Sequence, residues 1–169
     1  MPHSKTPARH HAHKAPPLDL RSLNHDLLGF RPRAVVGRRE LIELPELHLH
    51  LNAKIDTGAH SSALHAENIE VFEKDEDLWV RFITRSGGSD SPPHDVETRV
   101  HDRRRVRSSN GQAQWRYVIR SRMQLAGLDY DIDMTLVDRS QMRHPILLGR
   151  RALRRLLVAP GAAYLHGEP

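Results

Sequence analysis

The sequence contains no cysteine, so disulfides can neither hold the fold nor assign a compartment, and the cysteine-containing zinc sets are excluded. Aromatics are scarce, two Trp, three Tyr and three Phe, and no nucleic-acid-binding motif accompanies them, which leaves little with which to stack bases. No apolar run approaches the roughly twenty residues that span a bilayer, and the first residues lack the unbroken apolar core of an export signal. A cytoplasmic location, away from membrane, is the expectation. No Gly-x-x-x-x-Gly-Lys-Ser/Thr loop offers a phosphate cradle, and no His-Glu-x-x-His pattern offers a zinc helix. Neither a nucleotide nor a metal cofactor is called for.

What is present suits one domain: 169 residues, 38% of them hydrophobic, suffice for a single core. Positions 1–33 mix His, Lys, Pro and Arg without sustained apolar periodicity, which predicts a disordered arm. Its Leu18, Leu20, Leu23, Leu27, Leu28 and Phe30 offer at most a short docking helix, and its His3, His10, His11 and His13 a loose metal affinity. The domain proper is expected over 34–169. There β-type runs recur at 41–51, 53–56, 78–84, 96–101, 115–125 and 130–137, separated by Gly87-Gly88, Pro92-Pro93, Asn110-Gly111 and Gly127. Short strands at that spacing predict a mainly β sandwich or barrel, with one late helix over about 150–157. The polar stretch 85–95 reads as a surface loop.

The most informative segment is Lys54-Ile55-Asp56-Thr57-Gly58-Ala59-His60-Ser61-Ser62-Ala63-Leu64. An aspartate at the end of an apolar strand, followed by Thr-Gly-Ala, is how aspartic proteases present their catalytic carboxylate. A carboxylate that shares a proton with a second one needs a rigid, small loop, and Gly58 permits close backbone approach. Asp and Gly also favour turns in their own right, so the triplet alone is a moderate signal. Downstream, His144-Pro145-Ile146-Leu147-Leu148-Gly149-Arg150-Arg151-Ala152-Leu153 supplies an apolar-apolar-Gly strand of the kind that passes beneath such a loop. Between the two, Asn110-Gly111 flanked by candidate strands signals a hairpin, which would serve as a flap over substrate. Candidate catalytic residues are therefore Asp56, Thr57 and Gly58; candidate substrate-binding residues are Ala59, His60, Ser108, Ser109, Asn110 and Gly111.

The thirteen histidines invite other chemistry. His48 and His50, on a strand, would share a face and supply half a metal site. His60 and His65 flank Ser61-Ser62 near Asp56, but a catalytic triad is defined by geometry, and no nucleophile elbow is present. Solvated surface histidines account for the same pattern.

Together, these segments make the chain resemble the small bacterial retropepsin-like proteins known as "ATP-dependent zinc proteases" and associated with ATP-grasp glutamate ligases. The resemblance covers about residues 37–166. It is carried by Gly37-Arg38-Arg39-Glu40, the 54–66 block, Trp79-Val80-Arg81-Phe82, Arg105-Val106-Arg107-Ser108, Leu136-Val137-Asp138-Arg139 with Met142, and Leu147-Leu148-Gly149-Arg150. It implies a closed retropepsin-like β-barrel and aspartic-type peptidase activity. The ATP and zinc of the family label do not follow from these residues, so any ATP dependence belongs to a partner such as the ligase.

A single Asp-Thr-Gly per small domain implies that the second carboxylate comes from a twin chain, hence a two-fold homodimer. One departure from the viral pattern is His60, where the viral enzymes carry an acidic residue that pairs with the arginine equivalent to Arg150. Arg150 is expected to find another partner. The net charge of +5, with Arg103, Arg104, Arg105, Arg107, Arg116, Arg120 and Arg122 in and beside the hairpin, implies acidic partners. A glutamate-rich peptide fits better than nucleic acid. The competing classes are a peptide-binding or adaptor module without turnover, and a metal-dependent hydrolase built from His48, His50, His60, His65 and Asp56.

Overall fold

Alternation of apolar and polar residues builds the central strands. In β2 (Arg39–Leu44) positions 40, 42 and 44 point inward; in β3 (Leu49–Ile55) Leu49, Leu51, Ala53 and Ile55 do so. That period of two is what a sheet with one face on a core requires. The structure is a computed structural model and describes residues 25–87, 90–108 and 110–169. The chain divides into two units, Met1–Arg31 and Pro32–Pro169. In the first, the described residues include one short helix, α1 (His25–Leu28). The rest of the expected arm, including its histidine cluster and first leucines, lies outside the described residues, as do Gly88 and Ser109. No helix among the described residues is long and apolar enough to cross a membrane.

The second unit is mainly β. Six strands close into a barrel in the order β10 (Leu128–Val137), β4 (Ser62–His65), β11 (Ile146–Leu148), β3, β2 and β9 (Ala113–Leu125), with β9 pairing back to β10. Ile42, Leu44, Leu51, Leu64, Ile119, Met123, Leu125, Met134, Ile146 and Leu148 fill it and are almost wholly shielded from solvent. Each such side chain contributes about 1.5 to 3 kcal/mol of burial. An antiparallel sheet of β5 (Glu67–Lys74), β6 (Asp77–Arg85) and β7 (Pro93–Arg99) adds Val80, Phe82 and Val96 to the same core. A parallel ribbon of β1 (Ala34–Gly37) and β12 (Leu156–Ala159) completes the unit. Buried Glu40 ties this ribbon to the C-terminal segment, because its Oε1 accepts N–H bonds from Gly37 (2.8 Å) and Leu165 (3.1 Å).

Several expectations are corrected in detail. The run 41–51 is not one strand: Pro45 opens a 3-10 turn (Pro45–Leu47), and His48 follows at φ 54° before β3 begins. Proline lacks the N–H that a ladder needs. His48 therefore lies in a turn and does not share a strand face with His50, whose Nδ1 sits 3.4 Å from Glu43 Oε1. The helix expected over 150–157 is instead a series of turns. Ala152, Leu153 and Leu156 donate N–H bonds to Gly149, Arg150 and Leu153, each three residues back, and Arg155 adopts φ 61°. The backbone of 156–159 then finds its partners in the ladder with β1. Strands β1, β4, β5 and β12 went unanticipated because they are short or carry polar residues on most positions.

The Asn110-Gly111 hairpin is present. Strand β8 (Asp102–Arg107) pairs with β9 from Asp102 opposite Val118 to Arg107 opposite Ala113. The turn is closed by Ser108 N–H to Gln112 O (2.8 Å) and Gly111 N–H to Ser108 O (2.9 Å), with Gly111 at φ 84°. Asp133 of β10 clamps the base of this hairpin, accepting from Arg120 Nε at 2.7 Å and from an Arg104 terminal nitrogen at 3.2 Å. The Arg120 bond, joined by that of Arg104 and opposed by burial, holds the Asp133 carboxyl below its ordinary range. A carboxyl whose pKa is depressed by folding stabilises the fold above its unfolded pKa and loses that contribution as the pH falls. Asp133→Asn is expected to cost about 1 to 3 kcal/mol at neutral pH and progressively less as the pH falls through the depressed folded pKa of Asp133, as read from urea unfolding curves from neutral to acidic pH.

Candidate active site

Asp56 leaves the end of β3, where Ile55 is buried, and its loop returns into β4 at Ser62. Between these two strands runs β11, parallel to β3 and antiparallel to β4. The apolar-apolar-Gly strand thus passes beneath the aspartate loop, as its sequence suggested. Several bonds fasten loop to strand. Asp56 N–H donates to Leu148 O (2.9 Å), Arg150 N–H to Ala59 O (2.8 Å) and Gly149 N–H to the buried Ser62 Oγ (3.1 Å). Gly149 is obligatory for space, since a Cβ there would lie 2.5 Å from Ser61 O and 2.9 Å from Ala59 O.

Within the loop, Gly58 N–H donates to Asp56 Oδ1 (2.9 Å), which fixes the carboxylate's orientation. Lys54 Nζ stands 3.9 Å from Asp56 Oδ2, and 29% of the Asp56 side chain remains accessible. The carboxylate can therefore be reached by water and substrate. Thr57, Gly58 and His60 are exposed and Ala59 is half-buried. Arg150, left without the acidic partner of the viral pattern, donates from a terminal nitrogen to Thr57 O (3.0 Å). Ser108, Asn110 and Gly111 sit together at the hairpin tip, where the Ser108 hydroxyl bonds to Asn110 Oδ1. Among the described residues no second carboxylate is paired with Asp56, and no three His, Asp or Glu side chains gather as a metal site would need.

Sequence reasoning did not single out the polar chain beside the loop. His65, buried in β4, accepts Arg139 N–H at Nδ1 (2.8 Å), so its proton resides on Nε2, which donates to Glu67 Oε1 (2.8 Å). Glu67 also accepts from Arg85 Nε (3.0 Å), and these bonds, Arg85's first, hold its carboxyl below the ordinary range. No motif signals such a chain, because Arg85 joins the neighbouring His65 and Glu67 only through the pairing of β5 with β6. Cationic groups dominate the surroundings. Burial first, then Arg39, Arg143, Lys54 and Arg139, lowers the pKa of His144.

A strand-terminal Asp-Thr-Gly loop lying over a threaded apolar strand in a small closed barrel defines an acid-protease type of domain. Residues 35–169 match the RimB-like family, described as "Retropepsin-like aspartic endopeptidase RimB", and the chain belongs to that family. Two curated relatives, from Shewanella pealeana (36% identical over 137 residues) and Parasynechococcus marenigrum (37% over 139), are each named "Probable alpha-L-glutamate ligase". The matches take in 79% and 80% of this chain but only 30% of each relative. The chain therefore corresponds to about a third of those proteins' length. Among solved structures, the Legionella pneumophila protein Lpg0085, of unknown function, is similar with a TM-score of 0.66 and 27% identity, over 79% of this chain and 98% of that one.

The contact between Gly149 and Ser61 generates a direct test. Gly149→Ala should push the aspartate loop off β11 and destabilise the domain by about 1 to 3 kcal/mol, the usual cost of overpacking. Gly161→Ala, where a Cβ meets nothing within 4 Å, should leave the thermal midpoint unchanged. Equal midpoints for the two variants would contradict the threaded arrangement.

Proposed function

We propose that this protein is an aspartic endopeptidase in which Asp56 works with the Asp56 of a second copy of the chain. The supporting observation is the Asp56-Thr57-Gly58 loop, held on β11 with one carboxylate oxygen fixed by Gly58 N–H and the side chain accessible. Hydrolysis without a covalent intermediate needs one carboxylate as base and one carboxylic acid as donor. Each chain brings one, and a two-fold axis through the loops would bring both to one water.

In this reading the ionised member of the dyad takes a proton from the water while its protonated mate polarises the scissile carbonyl. The dyad then protonates the leaving nitrogen, and its pKa values belong to the pair. Exposed Thr57 offers its hydroxyl across the axis. Ala59 and His60 border the bound peptide, and the β8–β9 hairpin, with Ser108, Asn110 and Gly111 at its tip, closes over it as a flap. The reaction asks nothing of a metal.

Substrates are acidic, glutamate-rich or glutamate-modified proteins of the cytoplasm. The basic surface around the site supports this reading, as does the alignment of the chain with part of proteins named as glutamate ligases. A functional link to an ATP-using ligase of that kind belongs to the same proposal.

The test is hydrolysis of a peptide mixture that includes glutamate-rich members, from mildly acidic to neutral pH. Asp56→Asn is expected to remove cleavage by at least about a thousandfold, the scale on which a positioned general acid or base acts, while chelator leaves the wild type unaffected. Chelator-sensitive cleavage would instead indicate a metal hydrolase. Peptide binding without cleavage under every condition would indicate an adaptor.

A further inference from the structure

A cleft of about 230 Å³ opens on the barrel wall, lined by Ser61, Ser62, Arg104, Arg120, Arg151 and Arg154. Arg104 stands on β8, Arg120 on β9, and Arg151 and Arg154 on the turns that follow β11. Along β9, Arg120 alternates with buried Ile119 and Ser121; along β10, Asp133 alternates with buried Ile132 and Met134. The cleft therefore lies on the outside of the barrel. Asp56, Thr57, Gly58 and the hairpin tip do not line it.

Its charges do not balance. Four guanidiniums line it against two carboxylates, those of Asp131 and Asp133. Asp133 is already engaged, accepting from Arg120 Nε at 2.7 Å and from a terminal nitrogen of Arg104 at 3.2 Å, while Arg104 Nε donates to Asp102 at 2.8 Å. These bonds fix both guanidiniums, and each keeps one terminal nitrogen without a partner among the described residues. Arg151 and Arg154 are exposed, and their guanidiniums have no partner among the described residues. Ser62 adds a hidden donor. Only 2% of it is exposed and its Oγ accepts Gly149 N–H at 3.1 Å, yet its hydroxyl proton has no acceptor among the described residues. A buried donor left without an acceptor is costly.

A planar carboxylate matches a single guanidinium fork. Donors that come from two strands, a turn and a serine hydroxyl suit an anion with oxygens in three dimensions and more than one negative charge. A phosphate group is such an anion. At about 30 Å³ per water in the liquid, the cleft has room for a phosphate and the first atoms of the group that bears it.

We propose that this cleft is a phosphate-binding site, separate from the place where Asp56 acts, and that it takes free phosphate or the phosphate monoester of a small molecule. The assignment does not depend on the peptidase reading of Asp56. Its position couples it to the aspartate loop. Ser61 O is the atom that a Cβ on Gly149 would strike, and Ser62 Oγ takes up the Gly149 N–H. A phosphate held by the Ser62 hydroxyl thus steadies the point at which the loop rests on β11.

Binding is measured by titration calorimetry on the full chain at constant ionic strength, with inorganic phosphate, glycerol 1-phosphate and glutarate as probes. One of the two phosphates is expected to bind at least about tenfold more tightly than glutarate, the scale of one charge-assisted contact. Which of them binds more tightly identifies the source. Arg151→Met and Arg154→Met should each weaken that binding by about tenfold. Arg105→Met, which removes an exposed arginine outside the cleft, should change it by less than about twofold. Hydrogen exchange of the backbone N–H groups from Gly58 to Ser62 should slow when phosphate is added to the wild type, and not in Arg151→Met.

Thermal unfolding without ligand establishes that each variant is folded; should one cleft variant fail, the other decides. No binding of either phosphate, glutarate binding as tight as phosphate, an equal loss in Arg105→Met, or full affinity in both cleft variants overturns the site. Arginine-dependent phosphate binding with unaltered loop exchange overturns the coupling alone.

Discussion

The threading of β11 between β3 and β4 is the constraint on which the rest depends. Strand β11 is only three residues long, yet it is the seam through which two strands adjoining the Asp56 loop belong to one barrel. The bond from Asp56 N–H to Leu148 O continues the β3–β11 ladder into the loop itself. The glycine that follows lets the loop lie directly on the strand, and Ser62 Oγ satisfies the N–H that this close approach buries. Backbone bonds, rather than side-chain charges, therefore place the carboxylate.

Around that seam, charge is distributed unevenly. On the hairpin base and the outer sheet, arginines are neutralised locally by Asp102, Asp129, Asp133, Glu67 and Glu97. Around Asp56, Lys54 and Arg139 have no such counterweight beyond Asp56 itself. Surface pairs of the first kind contribute little to stability.

How much was legible in the sequence follows from this arrangement. The barrel was legible because β2, β3, β9 and β10 alternate over enough residues for the period to show. The aspartate loop and its underlying strand were legible because both are contiguous segments with small residues at fixed places. The late helix was not, since residues 150–157 carry helix-forming Arg, Ala and Leu, and only the distant ladder with β1 decides against it. The single strand over 41–51 failed at Pro45, whose local effect outweighs the apolar pattern around it. The His65–Glu67–Arg85 chain was invisible for a different reason: Arg85 reaches Glu67 through the pairing of β5 with β6, and each member is an ordinary polar residue when read along the chain.

The account's central claim is that two Asp56 loops, one from each of two chains, make one catalytic centre. The most direct measurement mixes wild type with Asp56→Asn in varying proportion, allows subunits to exchange, and follows peptide hydrolysis at constant total protein. A shared centre predicts activity that falls as the square of the wild-type fraction, because only wild-type pairs carry the full dyad. Activity that falls in simple proportion to that fraction would show that each chain works alone and would contradict the account.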